Sequence, residues 1–123
     1  MRIAIASESD EGLEGKVAEH FGRCPYYTIV QVEGGAIESV EVVANPFYGR
    51  HIPGEAPAFI RDQGADVIIA GGMGRRAIAL FQRYGIRPVT GATGRVRDVL
   101  EDFLKGRLSE ARPCPGGEAH EEV

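Results

Sequence analysis

The hydrophobic pattern changes period most sharply at residues 66–77. Val67, Ile68, Ile69 and Ala70 form an unbroken apolar run, β-branched at its first three positions. Such a run suits a strand covered on both faces, which is how a central parallel strand reads. Glycines follow at positions 71, 72 and 74, and residues 77–84 then repeat apolar side chains at helical spacing. Strand, glycine turn and helix make one βα unit, and ligands gather at the carboxyl ends of such strands in open α/β sheets.

The rest of the pattern sorts around that unit. Residues 2–6 are a short β run ending at Ser7. Residues 27–32 and 36–44 are β-rich runs separated by Glu33, Gly34 and Gly35, the signature of a hairpin. Residues 56–63 read as a short helix with Phe59 and Ile60 inward and Gly64 as its cap. Residues 86–90 form a last strand, with a second glycine-bearing turn at 91–94. Val96, Val99, Leu100, Phe103 and Leu104 then follow the i, i+3, i+4, i+7, i+8 stripe of an amphipathic helix, which Gly106 ends. Helical crossovers join parallel strands and short turns join antiparallel ones. The expected sheet therefore has residues 3–6, 67–70 and 87–90 parallel and 27–32 running against 3–6. Its edges are residues 37–44 and 87–90.

Composition narrows the class. A chain of 123 residues is one domain, and 43% hydrophobic with 26% charged residues is a globular balance. A formal net charge of −4 argues against a nucleic-acid surface, which is normally basic. No apolar run approaches the ~20 residues that span a bilayer. Residues 1–7 enter a strand too soon to be a signal peptide, so a cytoplasmic location is expected. Cys24 and Cys114 make no disulfide framework and read as free thiols, ligands or redox partners.

Several stretches carry candidate chemistry. The 71–74 turn offers backbone amides and a helix N-terminus, with Arg75 and Arg76 beside them, a combination suited to an anion. His20 and Cys24 stand four residues apart, and both are soft or borderline metal ligands. Val17 and Phe21 would share the face of a one-turn helix ended by Gly22. Residues 45–57 form a long connection with three prolines and two glycines, carrying Phe47, Tyr48, Arg50 and His51. Loops of that length in compact domains are often functional. Glu8, Asp10, Glu11 and Glu14 read as a solvated acidic loop. Arg95 and Arg97 lie in the first turn of the last helix, where the dipole disfavours cations unless an anion is near. Residues 107–123 read as a flexible polar tail holding Cys114 and His120. No Walker A sequence, GxGxxG run or Ser/His/Asp arrangement is present, and no carboxylate pair is spaced for acid–base work. The expected role is binding rather than catalysis.

Three motifs stand together: His20-Phe21-Gly22-Arg23 before a Pro-Tyr-Tyr strand entry, Asn45-Pro46 before a His-bearing loop, and Gly71-Gly72-Met73-Gly74-Arg75-Arg76-Ala77. In that order they resemble the dinitrogenase iron–molybdenum cofactor biosynthesis family, the NifX-like and NifB C-terminal-like domains, over residues 1–106. The resemblance implies a three-layer α/β/α ribonuclease-H-like fold, with a five-stranded mixed sheet containing one antiparallel strand. It also implies a carrier for an iron–sulfur or molybdenum-containing metal–sulfur cluster, with cluster donor and acceptor proteins as partners and neither nucleic acid nor membrane. It lends Gly22, Arg23, Asn45, Gly71, Gly72, Gly74 and Arg75 to a cluster-facing site, with His20 and His51 as ligands; Cys24 joins them as a candidate metal ligand on its own residue type and spacing from His20. Cys24 departs from the small residue common after the first motif, and two cysteines cannot build a Cys₄ iron–sulfur site. A protein-interaction module, or a small sensor or enzyme for an anionic metabolite, are the alternatives.

Overall fold

The computed structural model describes residues 1–50 and 52–108. Five strands form one sheet: β1 (Arg2–Ser7), β2 (Tyr26–Glu33), β3 (Ala36–Ala44), β4 (Val67–Ile69) and β5 (Arg87–Val89). Their order is β3-β2-β1-β4-β5. β1 pairs antiparallel with β2 and parallel with β4, β2 pairs antiparallel with β3, and β4 pairs parallel with β5. β2 is thus the single antiparallel strand, with β3 and β5 at the edges, as the turn and crossover lengths imply.

Side-chain alternation along β1 divides the core. Ala4 and Ala6 face a cluster built with α1 (Glu55–Asp62) and α2 (Arg75–Arg83), including Phe21, Tyr27, Ile60 and Phe81. Ile3 and Ile5 face a second cluster built with α3 (Val96–Leu104), including Val30, Ile69, Leu100 and Phe103. Two helices on one face and one on the other make three layers. The alanines leave room for rings on their side. Phe81, Phe21, Tyr27, Phe59 and Phe47 form a chain with centroids 5.0, 5.9, 6.0 and 6.4 Å apart. Each such pair adds about 0.5–1.5 kcal/mol beyond area burial. The last ring anchors the 45–50 turn to α1, which matters for the site.

One local reading is revised. Residues 16–21 are not a one-turn helix; they form a bridged strap with a bend at Glu19. Val17 joins the α3-side cluster and Phe21 the opposite one, so their four-residue spacing marks no shared face. Arg95 and Arg97 have an anion near them. Glu14, in a 3₁₀ turn at Gly12–Glu14, accepts from Arg97 Nε at 2.9 Å and lies 3.6 Å from Arg95 Nη1. The Arg97 hydrogen bond holds its carboxyl below the usual carboxylate range. The tail reading covers residues 107–123. Its first two residues dock, Arg107 N–H donating to Asp102 O at 2.8 Å and Leu108 packing on the α3-side core. Residues 109–123, with Cys114 and His120, lie outside the described residues.

Candidate functional site

The carboxyl ends of β1 and β4 do lie side by side, but the chain itself covers them. After β1 the backbone loops through the acidic segment and returns as the 16–21 strap. Ala18 N–H donates to Ala6 O at 2.8 Å, Gly71 N–H to Ala18 O at 2.9 Å and Phe21 N–H to Gly72 O at 2.9 Å. A parallel bridge joins His20 to Gly72. The contact is so close that a Cβ on Gly71 would sit 2.7 Å from the Glu19 carbonyl oxygen. Gly71 is therefore required by chain packing, and its amide is spent on the strap rather than offered to a ligand. Gly74 serves as the extended N-cap of α2, its carbonyl taking the Ile78 N–H, and Arg75 is exposed on the first turn.

Three open clefts border the strap. The first, about 370 Å³, is lined by Gly22, Arg23, Tyr48, Gly49 and Arg50. The second, about 170 Å³, is lined by Glu8, Ala18, Glu19, His20, Arg23, Cys24 and Pro25. The third, about 320 Å³, includes Lys16, Glu19, Gly71 and Thr93. Arg23 belongs to the first two, and Glu8 and Glu19 to the last two, so the clefts form one trough that turns from basic to acidic. Gly72, Gly74 and Arg75 line none of the three.

Asn45 holds the basic end together. It is buried, and its Nδ2 donates to Cys24 O at 2.8 Å and Gly22 O at 3.3 Å, while its Oδ1 accepts from Phe47 N–H at 2.9 Å. Its own N–H donates to Pro25 O at 2.8 Å. With every polar group engaged, Asn45 clips the turn bearing Arg23 to the turn bearing Tyr48 and Arg50. Arg50 is held in turn: Nη2 donates to Pro46 O at 3.1 Å, and the guanidinium lies 5.9 Å from the Phe47 ring centroid. Sequence reasoning noticed Arg50 and Tyr48 only as loop residues. The signal that could have raised them is the loop's length combined with an arginine and an aromatic near its glycine.

Of the candidate metal ligands, His20 and Cys24 line the same second cleft. His20 Nε2 lies 3.7 Å from Glu19 Oε1. Cys24 is 2% exposed, and burial pushes its thiol up to about 11. Its neighbour is the Tyr27 hydroxyl, itself fully buried and raised by the same desolvation. Ligation by Cys24 would require loss of the thiol proton that burial holds, since the thiolate is the ligand. His51 lies outside the described residues. Among the described residues no three His, Cys, Asp or Glu side chains converge to hold a metal ion. No helix among them is long and apolar enough to cross a membrane.

The fold is that of a small α/β domain, with the trough beside the strap that covers the carboxyl ends of β1 and β4. The chain belongs to the family described as dinitrogenase iron–molybdenum cofactor, which matches residues 1–106. The uncharacterized protein MJ0580 of Methanocaldococcus jannaschii is 30% identical over 89% of this chain and 91% of its own. Among solved structures, PH0822 superposes with a TM-score of 0.80 at 44% identity, over 89% of this chain and 96% of that one. The apo form of the orange protein from Desulfovibrio gigas superposes at 0.76 with 29% identity, over 89% and 92%.

Proposed function

We propose that this protein binds and carries an anionic metal–sulfur cluster, iron–sulfur or molybdenum-containing, in cofactor assembly or trafficking, and that it is not an enzyme. One observation carries the reading. Two arginines, two glycine turns and an exposed ring line one cleft, while no three-donor metal group stands among the described residues. A cluster held there would be held through its negative charge. Guanidinium groups suit that task because they stay charged and are weakly hydrated. Gly22 and Arg23 form one wall, Asn45 supports it from behind, and His20 stands at the rim toward the acidic end. Gly71, Gly72 and Gly74 fix the strap and α2 beneath the site, with Arg75 adding positive charge at the helix start. The family's description ties its members to the dinitrogenase iron–molybdenum cofactor, and one structural relative is described in its apo form. Cytoplasmic cluster donors and acceptors are the partners this role requires.

The test is anaerobic incubation of the full chain with tetrathiomolybdate, and separately with a reconstituted iron–sulfide species, followed by gel filtration and metal analysis. Retention of metal and sulfide in the protein peak is expected for at least one of them. Retention no greater than on a chelator-treated blank from either would end the cluster reading.

A further inference from the structure

We infer that Phe47 is a positioning residue of the basic cleft, its ring restraining the Arg50 guanidinium at the cleft wall before an anion arrives, resting on the cleft's anion-binding role in the carrier reading. Arg50 is folded back on its own turn. Its N–H donates to Phe47 O at 2.8 Å, its Nη2 donates to Pro46 O at 3.1 Å, and its guanidinium carbon lies 5.9 Å from the Phe47 ring centroid. Phe47 is itself held. Its N–H donates to Asn45 Oδ1 at 2.9 Å, its ring meets the Phe59 ring edge-on at 6.4 Å, and it packs against the core on the α1 and α2 side. Arg50, which lines the cleft, is thereby tied through one ring to the body of the domain.

An exposed arginine loses rotamer freedom when it grips an anion, and that loss weakens binding. Arg50 is exposed, and a side chain already restrained loses less. Cation–π attraction holds a guanidinium within about 6 Å of a ring centroid and consumes none of its N–H donors. Of the five donors on an arginine head, Arg50 gives one to Pro46 O through Nη2. The ring thus restricts the head without occupying the groups that would meet an anion. Guanidinium donors serve oxo and sulfido anions alike, so the effect belongs to the cleft's charge and not to one anion. Anchoring of the 45–50 turn is the competing role for Phe47, since its contact with Phe59 also serves that end. Anchoring needs apolar bulk, whereas holding a guanidinium needs the face of a ring. The two roles part at Phe47→Leu.

The experiment titrates the full chain anaerobically with tetrathiomolybdate and with molybdate, in wild type, Phe47→Leu and Phe47→Tyr. Phe47→Leu is also added to Arg50→Gln and, separately, to Arg23→Gln. Phe47→Leu should weaken both anions about threefold, and Phe47→Tyr should stay within about 1.5-fold of wild type. Added to Arg50→Gln, Phe47→Leu should move affinity by less than about 1.5-fold, whereas added to Arg23→Gln it should keep its full effect. Proton NMR of the unliganded wild type should show Arg50 side-chain resonances displaced by the ring current of Phe47, and Phe47→Leu should return them. Equal losses in the wild-type and Arg50→Gln backgrounds make Phe47 an anchor only. That result, no loss in Phe47→Leu, an equal loss in Phe47→Tyr, or undisplaced Arg50 resonances in wild type each overturns the inference and leaves the carrier reading standing. If wild type binds molybdate and not tetrathiomolybdate, the carrier reading falls and the Phe47 effect is read on molybdate. If wild type binds neither anion, both fall.

Discussion

Replacing Gly71 by alanine tests whether the 16–21 strap presses on the β4 turn. The new Cβ would lie 2.7 Å from the Glu19 carbonyl oxygen and 2.9 Å from its Cα. Both are backbone atoms, so no rotamer change relieves the clash. The strap has to retreat by roughly half an ångström to regain ordinary contact. The Gly71-to-Ala18 and Phe21-to-Gly72 hydrogen bonds, each 2.9 Å, flank the collision and stretch with it. Overpacking costs about 1–3 kcal/mol and each weakened hydrogen bond up to about 1, for a loss of about 2–4 kcal/mol. Urea unfolding read by circular dichroism measures this, with an unchanged m-value showing that the two-state comparison is sound. Gly15→Ala is the control. Its Cβ meets the Ser9 Oγ at 2.9 Å, the end of a side chain that can rotate away, so it should cost less than about 1 kcal/mol. A Gly71→Ala protein within about 0.5 kcal/mol of wild type would refute the packing argument.

The remaining expectations concern the thiol, the clip and the tail. Cys24 titrates near about 11 when folded against a reference of 9.0, so its stabilisation is full below about pH 9 and lost as pH rises through 11. Two pKa units correspond to about 3 kcal/mol, and Tyr27 shifts in the same direction. Urea unfolding of wild type against Cys24→Ala at pH 8 and pH 11 should show that difference shrinking, and a constant difference would contradict the burial. Asn45→Ala strands the Cys24 carbonyl and the Phe47 N–H, which should cost about 1–3 kcal/mol and weaken tetrathiomolybdate binding too. Unchanged binding would show that the two turns need no clip. Truncation after Leu108 keeps the docked Arg107 and Leu108, so the midpoint of thermal unfolding should fall by less than about 4 °C.

The sheet was legible because its signals are local. The apolar run at β4, the two-glycine turn between β2 and β3, and the stripe along α3 each declare a period over a few residues. The strap was not, because the chain bends at Glu19 and sends Val17 and Phe21 into opposite clusters, whereas their spacing alone suggests one face. Gly71 is required by the approach of the Glu19 backbone, a cause that sequence could not supply. The basic cleft was hidden for a different cause. Arg23 and Arg50 are far apart in the chain and meet only because the buried Asn45 ties their turns together. Cys24 read as a ligand from its spacing to His20, and in space it lines the second cleft with His20 while packing against Tyr27 in the core, a burial that spacing does not show.

The central claim is that charge on Arg23 and Arg50 holds an anionic sulfide-shelled cargo. Its most direct measurement is an anaerobic equilibrium titration of tetrathiomolybdate into wild type and the Arg23→Gln/Arg50→Gln double variant, at low and high salt. Wild type should bind, weaken as salt screens the exposed guanidinium groups, and exceed the double variant by about tenfold or more at low salt. Equal affinity in the two proteins, or wild-type binding indifferent to salt, would contradict it.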